Sequence, residues 1–345
     1  MMFEKLLWPA GIVGTVIGLA TLTKDYVDGE RYRGEEKLFG RTVIVTGANS
    51  GIGEQTSREL AKRGAKVIMA CRNMKDCMSL RDEIVEETFN PNIHCKKLDL
   101  TSLKSIKEFA EEINEDEKRI HVLINNAGVM LPDQRKLTKD GYEMHLGVNY
   151  FGPFLLTHLL LDKLKASAPS RIVNVTCSNF MHAKLDFKNL NFDDKYHGEA
   201  AYGQSKLALY LFSVRLAEML EGTKVSVYAA NPGLCYTKLP RNMGWYKSYI
   251  SSAVIYPFLF LVMKNPRAGM QTVLRCVLDP ELEGHTGKYY DNCKEIEQVP
   301  NEAFKDINID RLWATSELWT CLKTHAELVK TQPDVVKSHH DVAKS

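Results

Sequence analysis

Tyr202 and Lys206 stand four residues apart in Tyr-Gly-Gln-Ser-Lys. On a helix, residues i and i+4 share a face. A tyrosine left to itself titrates near about 10, too high for ready proton exchange at neutral pH. A lysine cation one turn away stabilises the phenolate and lowers that value. The pair is therefore suited to general acid–base work on a carbonyl or alcohol oxygen. The same spacing also occurs on solvated helix faces, so the chemistry needs a second feature. Val43–Gly53, VIVTGANSGIG, supplies it. Val43–Thr46 is a β-branched run that reads as a strand buried on both faces. Glycines follow at 47, 51 and 53, and then an amphipathic segment, Glu54–Arg63, that ends at Gly64. Strand, glycine turn and helix bring backbone N–H groups and the positive end of a helix dipole to a phosphate. The spacing is Gly-x-x-x-Gly-x-Gly rather than the commonest dinucleotide fingerprint.

The elements that must position these groups alternate along the chain. Lys66–Cys71, Ile93–Leu98, His121–Asn125, Arg171–Thr176 and Val225–Ala230 read as further strands, with Lys288–Tyr290 as a last one. Helices are expected over Met74–Glu87, Leu103–Glu115, Gly141–Lys165 with a kink at Pro153, Ala201–Leu220, Asn265–Asp279 and Glu302–Leu328. Leu131–Lys139 reads as a loop and Asn179–Ala200 as an irregular charged insertion. This βαβ alternation predicts an α/β fold, a parallel sheet covered by helices with ligands beyond the strands' carboxyl ends. Residues 35–300 are expected to form that unit, with 301–345 a helix and a polar tail. Tyr249–Met263 is an uncharged run suited to a greasy pocket, a bilayer surface or the core.

Leu6–Thr23 is a second uncharged run, eighteen residues between Lys5 and Lys24-Asp25. That is the short end of the range for a spanning helix. Gly11, Gly14 and Gly18 permit close helix contacts. A single lysine precedes the run and no small-x-small cleavage site precedes the charges after it. A retained membrane anchor over residues 1–34 is therefore expected ahead of a secretory signal or a buried helix. The chain of 345 residues carries a net charge of +2 and no basic stripe with interleaved aromatics, which argues against nucleic acid. Its eight cysteines are scattered with no C-x-x-C, so free thiols and no metal are expected.

Thr46–Gly53 (TGANSGIG), Asn125–Gly128 (NNAG), Tyr202–Lys206 (YGQSK) and Pro232-Gly233 together resemble the short-chain dehydrogenase/reductase family. LLWPAGIVGTVIGLATLTKDYVDG near the N-terminus, YEMH over Tyr142–His145 and LLLDKLKASAPSRIVN over Leu159–Asn174 are similar to the retinol dehydrogenases of that family. The likeness runs to about Leu322. It implies a Rossmann-type doubly wound sheet and hydride transfer to or from a nicotinamide. Tyr202 would pass the proton, Lys206 would also hold the nicotinamide ribose, and Asn149 in GVNYFG would support a proton-relay water. Gly47, Asn49, Ser50, Gly51, Ile52 and Gly53 would cradle the cofactor, with Asn126, Ala127 and Gly128 beside them and Asn126 bracing the fourth strand. Asp99 in KLDL would contact the adenine, and Pro232, Gly233 and Thr237 the nicotinamide amide or a phosphate. The likeness also implies a membrane location, the mitochondrion ahead of the endoplasmic reticulum.

Two positions decide finer points. An NAD enzyme of this family places a carboxylate after strand two, for the ribose 2′-hydroxyl. This chain has Cys71 and then Arg72, whose guanidinium can pair with a 2′-phosphate, so NADP(H) is expected. At the family's catalytic serine, Val175–Ser178 (VTCS) places Cys177, with Ser178 one residue later. Adjacent strand residues face opposite ways, so Ser178 can substitute only across a bulge. A thiol is the weaker donor. The leading reading is an NADP(H)-dependent oxidoreductase interconverting a lipophilic alcohol and carbonyl, retinol and retinaldehyde first. Alternatives are the same chemistry on a steroid, polyprenol or lipid aldehyde, or a nucleotide-binding sensor whose catalysis Cys177 has weakened.

Overall fold

In the computed structural model, residues 2–131, 134–236, 259–297, 299 and 306–323 are described, with side chains in the first helix from residue 14 onward. The β-branched runs form one sheet in the order β3-β2-β1-β4-β5-β6-β7-β8. The strands are β1 (Thr42–Thr46), β2 (Lys66–Cys71), β3 (Ile93–Lys97), β4 (Val122–Asn125), β5 (Ser170–Val175), β6 (Val225–Asn231), β7 (Lys288–Asp291) and β8 (Lys294–Glu295). All pairings are parallel except β7 with β8. The order reverses between β1 and β4, and that switch point opens a crevice at their carboxyl ends.

Successive strand residues feed two cores. Ile44, Ile68, Leu123 and Ile172 pack beneath α4 (Leu103–Asp116), α6 (Gly152–Ala166) and α7 (Gly198–Met219). Val43, Val45, Val67 and Val173 pack beneath α2 (Gly51–Lys62), α3 (Met74–Thr88) and α8 (Pro266–Leu278). With both faces covered, the strands read as unbroken apolar runs. The last described helix, α9 (Asp306–Trp319), joins the first core through Ile309, Leu312 and Trp313. Trp313 meets the rings of Phe154, His158 and Phe212 at centroid distances of 5.1 to 5.8 Å.

Several expectations change. The helix expected over Gly141–Lys165 is three pieces: α5 (Met144–Leu146), a π turn (Gly147–Phe151) and α6. Proline lies in the first turn of α6, where its missing N–H costs nothing intrahelical, so the irregularity falls before Pro153. Not every thiol is free: Cys77 on α3 and Cys95 on β3 form a disulfide, because α3 lies across β3 and brings their Cα atoms to 6.1 Å. Sequence spacing gave no sign of a pair eighteen residues apart. A spanning anchor is not shown. The first helix, α1, runs over Met2–Asp28, yet among the described residues no helix is long and apolar enough to cross a membrane. Thr237, most of Tyr249–Met263 and the polar tail lie outside the described residues.

The seat of α9 is testable. Trp313→Ala removes a buried ring from a cluster of four and is expected to cost about 3–5 kcal/mol. A denaturant titration reads this as a lower midpoint at unchanged slope.

Candidate active site

The crevice is floored by hydrogen bonds that lock β1 to β4. Thr46 Oγ1 donates to the Ile124 carbonyl and accepts from the backbone N–H groups of Asn126 and Ala127. Asn126 Nδ2 donates to the Thr46 carbonyl at 2.8 Å, so Asn126 braces the ends of both strands. The glycine turn rests on this floor. Gly47 and Gly51 take φ of +64° and +59°, which side-chain-bearing residues rarely adopt. A Cβ on Gly47 would stand 3.0 Å from Ala127 Cα, and one on Gly53 would strike Asn126 and the Gly47 carbonyl. Ser50 precedes α2 without a side-chain cap, which leaves the helix's first N–H groups facing the crevice. Ala48 is buried, while Asn49, Ser50 and Ile52 are partly covered.

The opposite wall comes from α7, β5 and the π turn. Tyr202 and Lys206 are both buried on one face of α7, with Lys206 Nζ 5.9 Å from the tyrosine ring centroid. Lys206 Nζ donates to the Val175 carbonyl at 2.9 Å. Asn149 lies in the π turn, a distortion common at functional sites. Its Oδ1 accepts from Val129 N–H, and its Nδ2 donates to the Val129 carbonyl and to Ser205 Oγ. Ser205 Oγ in turn donates to the Tyr202 carbonyl, which ties the asparagine to the tyrosine's helix. The Asn149 backbone carbonyl is four residues before Pro153, which has no N–H to return to it. Gly128 completes the cluster: a Cβ there would lie 3.4 Å from Asn149 Oδ1 and 3.6 Å from Lys206 Nζ.

Of the two serine-position candidates, only Cys177 turns inward. Cys177 is partly buried and neighbours the Tyr202 hydroxyl, whereas Ser178 is exposed at the start of the 3-10 helix Ser178–His182. No bulge carries Ser178 back. Burial raises the Tyr202 hydroxyl well above its ordinary value, and the neighbouring Cys177 raises it further. Burial lowers Lys206 against an upward pull from Cys177. The expected lowering of Tyr202 by Lys206 is thus not the state of the protein alone: desolvation dominates both groups and favours their neutral forms.

A family model for the short chain dehydrogenase matches residues 41–245, which spans the glycine turn, Asn149 and the Tyr202–Lys206 pair. The chain belongs to the short-chain dehydrogenase family. It is 46% identical over 314 residues to retinol dehydrogenase 13 of Mus musculus, covering 91% of this chain and 93% of that one. It is 43% identical over 280 residues to retinol dehydrogenase 12 of Mus musculus, covering 81% and 86%. A solved structure from Mycobacterium paratuberculosis, described as a putative uncharacterized protein, superposes with a TM-score of 0.64 at 29% identity, covering 83% and 95%. This short-chain dehydrogenase is therefore an oxidoreductase related to the retinol dehydrogenases.

Around the rim of the dehydrogenase site the expected residues fare unequally. Asp99 is buried and its oxygens are engaged within the chain, Oδ1 by Thr101 N–H and hydroxyl and Oδ2 by Lys139 Nζ at 2.8 Å. Burial pushes its carboxyl up, but the bonds from Lys139 and Thr101 outweigh this and hold it below its ordinary value. With Lys97, Ser102 and Lys139 it lines a cleft of about 330 Å³. Arg72 is exposed between β2 and α3. Gly233 turns with φ +77°, its N–H bonded to Asn231 Oδ1, and Pro232 accepts a hydrogen bond from the Cys235 thiol. Sequence reasoning missed Thr46, Glu143, His145, Tyr196 and Ser205. The YEMH stretch was legible as a likeness, but nothing in its spacing announced a buried Glu143–His145 pair.

The raised Tyr202 value carries a sign. Below it the tyrosine holds its proton and can give it to a carbonyl; taking one from an alcohol needs the phenolate. Reduction is expected to stay level from about pH 6 to about pH 8 while oxidation climbs over the same range, as kcat profiles in both directions would read.

Proposed function

We propose that this oxidoreductase uses NADPH to reduce a lipophilic carbonyl, retinaldehyde first, at the Tyr202–Lys206–Cys177 cluster. The observation that carries the reading is that cluster's convergence, buried, on the crevice beside the glycine turn. The residues fit a nicotinamide dinucleotide: a turn in which a Cβ at Gly47 or Gly53 would crowd the floor, a helix N-terminus with no side-chain cap and a buried lysine near Gly128. When bound, the cofactor supplies the hydride. Gly47, Asn49, Ser50, Gly51, Ile52 and Gly53 hold its phosphates, Asn126, Ala127 and Gly128 flank it, and Lys206 holds the ribose. Asp99 would stand at the adenine end, and Pro232 and Gly233 at the nicotinamide end. Tyr202 gives its proton to the substrate oxygen. The Asn149 backbone carbonyl, which Pro153 cannot bond, would hold a water that returns a proton through Lys206. Cys177 takes the serine's place beside Tyr202.

The preference for NADP(H) has a further support. The buried Cys71 thiol sits against the backbone N–H groups of Ala48 and Asn49, and burial pushes it up to about 12. At neutral pH it carries no charge, so nothing at the end of β2 repels a 2′-phosphate, and Arg72 follows at once. The retinoid comes from the likeness to the retinol dehydrogenases. Membrane attachment, at the mitochondrion, is proposed through α1, where Val16, Ile17, Leu19 and Leu22 are each about 60% exposed or more.

Purified protein with all-trans-retinaldehyde tests the reading. NADPH is expected to be used in preference to NADH. Arg72→Ala is expected to raise KM for NADPH about tenfold or more and leave that for NADH little changed. Tyr202→Phe should abolish turnover. Cys177→Ser is expected to match or exceed the parent, since a hydroxyl is the better donor, by at most about ten- to a hundredfold for about 1–3 kcal/mol. Ser178→Ala should change little. NADPH binding without turnover of any carbonyl would favour the sensor.

A further inference from the structure

Glu143 and His145 are both fully buried, and the proposed chemistry gives neither a role. Glu143 caps the single turn α5: its Oε2 accepts from Leu146 N–H at 2.9 Å. Its Oε1 meets His145 Nδ1 at 2.8 Å. The other ring nitrogen, His145 Nε2, accepts from Leu131 N–H at 2.8 Å. A backbone N–H can only donate, so Nε2 carries no hydrogen and Nδ1 must donate to the carboxylate. The tautomer is fixed from both ends. The Leu131 carbonyl is taken too, by the Tyr196 hydroxyl at 3.1 Å, which also reaches Glu143 Oε1 at 3.4 Å. Both backbone polar groups of Leu131, on the segment that leaves Gly128 and Val129, are thereby clamped by side chains from elsewhere. The His145 ring then meets the Tyr202 ring edge-to-face, centroids 5.9 Å apart.

We infer that Glu143 and His145 are a positioning pair for Tyr202, fixing the angle at which its ring presents the hydroxyl and tying that angle to the Leu131 segment. The inference rests on Tyr202 as the proton donor. The acid–base chemistry tolerates little misplacement, because an error of about 1 Å can cost about a hundredfold in rate. A buried hydrophobic residue in place of His145 would fill space but set no angle. A histidine bonded at both ring nitrogens cannot rotate. Asn191 Oδ1 holds the Glu143 N–H at 2.6 Å, and Arg135 bonds the Asn191 carbonyl. The charged insertion therefore anchors the pair from outside.

Glu143→Gln is the decisive substitution, because it is nearly isosteric and reverses one donor. The glutamine oxygen must accept from Leu146 N–H, so its NH2 faces His145 Nδ1. Whichever tautomer the histidine then adopts, two donors oppose each other, at glutamine or at Leu131. The first readout needs no substrate. Protein labelled with 13C at tyrosine Cζ, with the Tyr202 signal assigned by its loss in Tyr202→Phe, is compared with and without Glu143→Gln. The Tyr202 signal is expected to move. In the NADPH assay, on whichever carbonyl the parent reduces fastest, kcat is expected to fall about ten- to a hundredfold. KM for NADPH and its affinity, read by fluorescence, should stay within about twofold. Tyr196→Phe, a milder change at the edge of the clamp, should move the same readouts in the same direction and serves if Glu143→Gln does not fold. An unmoved Tyr202 signal would overturn the inference. So would a parallel fall of kcat, cofactor affinity and thermal midpoint, which is what a merely structural pair would give. If Tyr202→Phe keeps turnover, the catalytic reading fails instead, and the tyrosine signal alone decides the pair.

Discussion

The site depends on the hydrogen bonds that hold the end of β1 against the end of β4. A doubly wound sheet opens at its switch point because the connections leave in opposite directions, and what opens must still be rigid. Thr46 and Asn126 close that gap: the Thr46 hydroxyl donates one bond and accepts two, and the Thr46 carbonyl accepts one from Asn126 Nδ2. Gly47 rests on Ala127 and Gly53 against Asn126, so the cofactor turn inherits its position from this brace. Gly128, three residues on from Asn125, carries the same rigidity to Asn149 and Lys206. Loosening the brace would therefore displace both walls of the crevice together.

The second wall is set by a break in a helix. Proline at 153 forbids the bond that would occupy the Asn149 carbonyl, and the chain answers with a wider turn whose Gly152 N–H reaches back to Gly147. The asparagine side chain spends its bonds on Val129 and Ser205. The side chain thus fixes the turn to its neighbours.

Much of this was legible in the sequence. Strands buried on both faces announce themselves as apolar runs, so β1, β2, β4, β5 and β6 stood close to their expected bounds. The glycine turn and the shared face of Tyr202 and Lys206 were legible because both are set by local geometry, a left-handed backbone and one helical turn. The gapless placement of Cys177 likewise followed from the two-residue period of a strand. What was not legible is set by contacts across the fold. The clamp on Leu131 draws on His145 and on Tyr196, sixty-five residues away, and no local pattern joins them. The Cys77–Cys95 pair depends on how α3 lies over β3. The protonation of Tyr202 depends on burial, which the i, i+4 argument leaves out.

That last difference bears on direction. A lysine beside a tyrosine in water is a charge that steadies a phenolate. The same lysine, buried, carries a desolvation cost that works against its own cation. Tyr202 meets the same cost, and the sulfur beside it adds to the rise. Both groups therefore favour neutrality, and a neutral tyrosine is a proton donor in waiting. Burial thus shifts both side chains toward their neutral forms, and Cys177 adds to the rise at Tyr202.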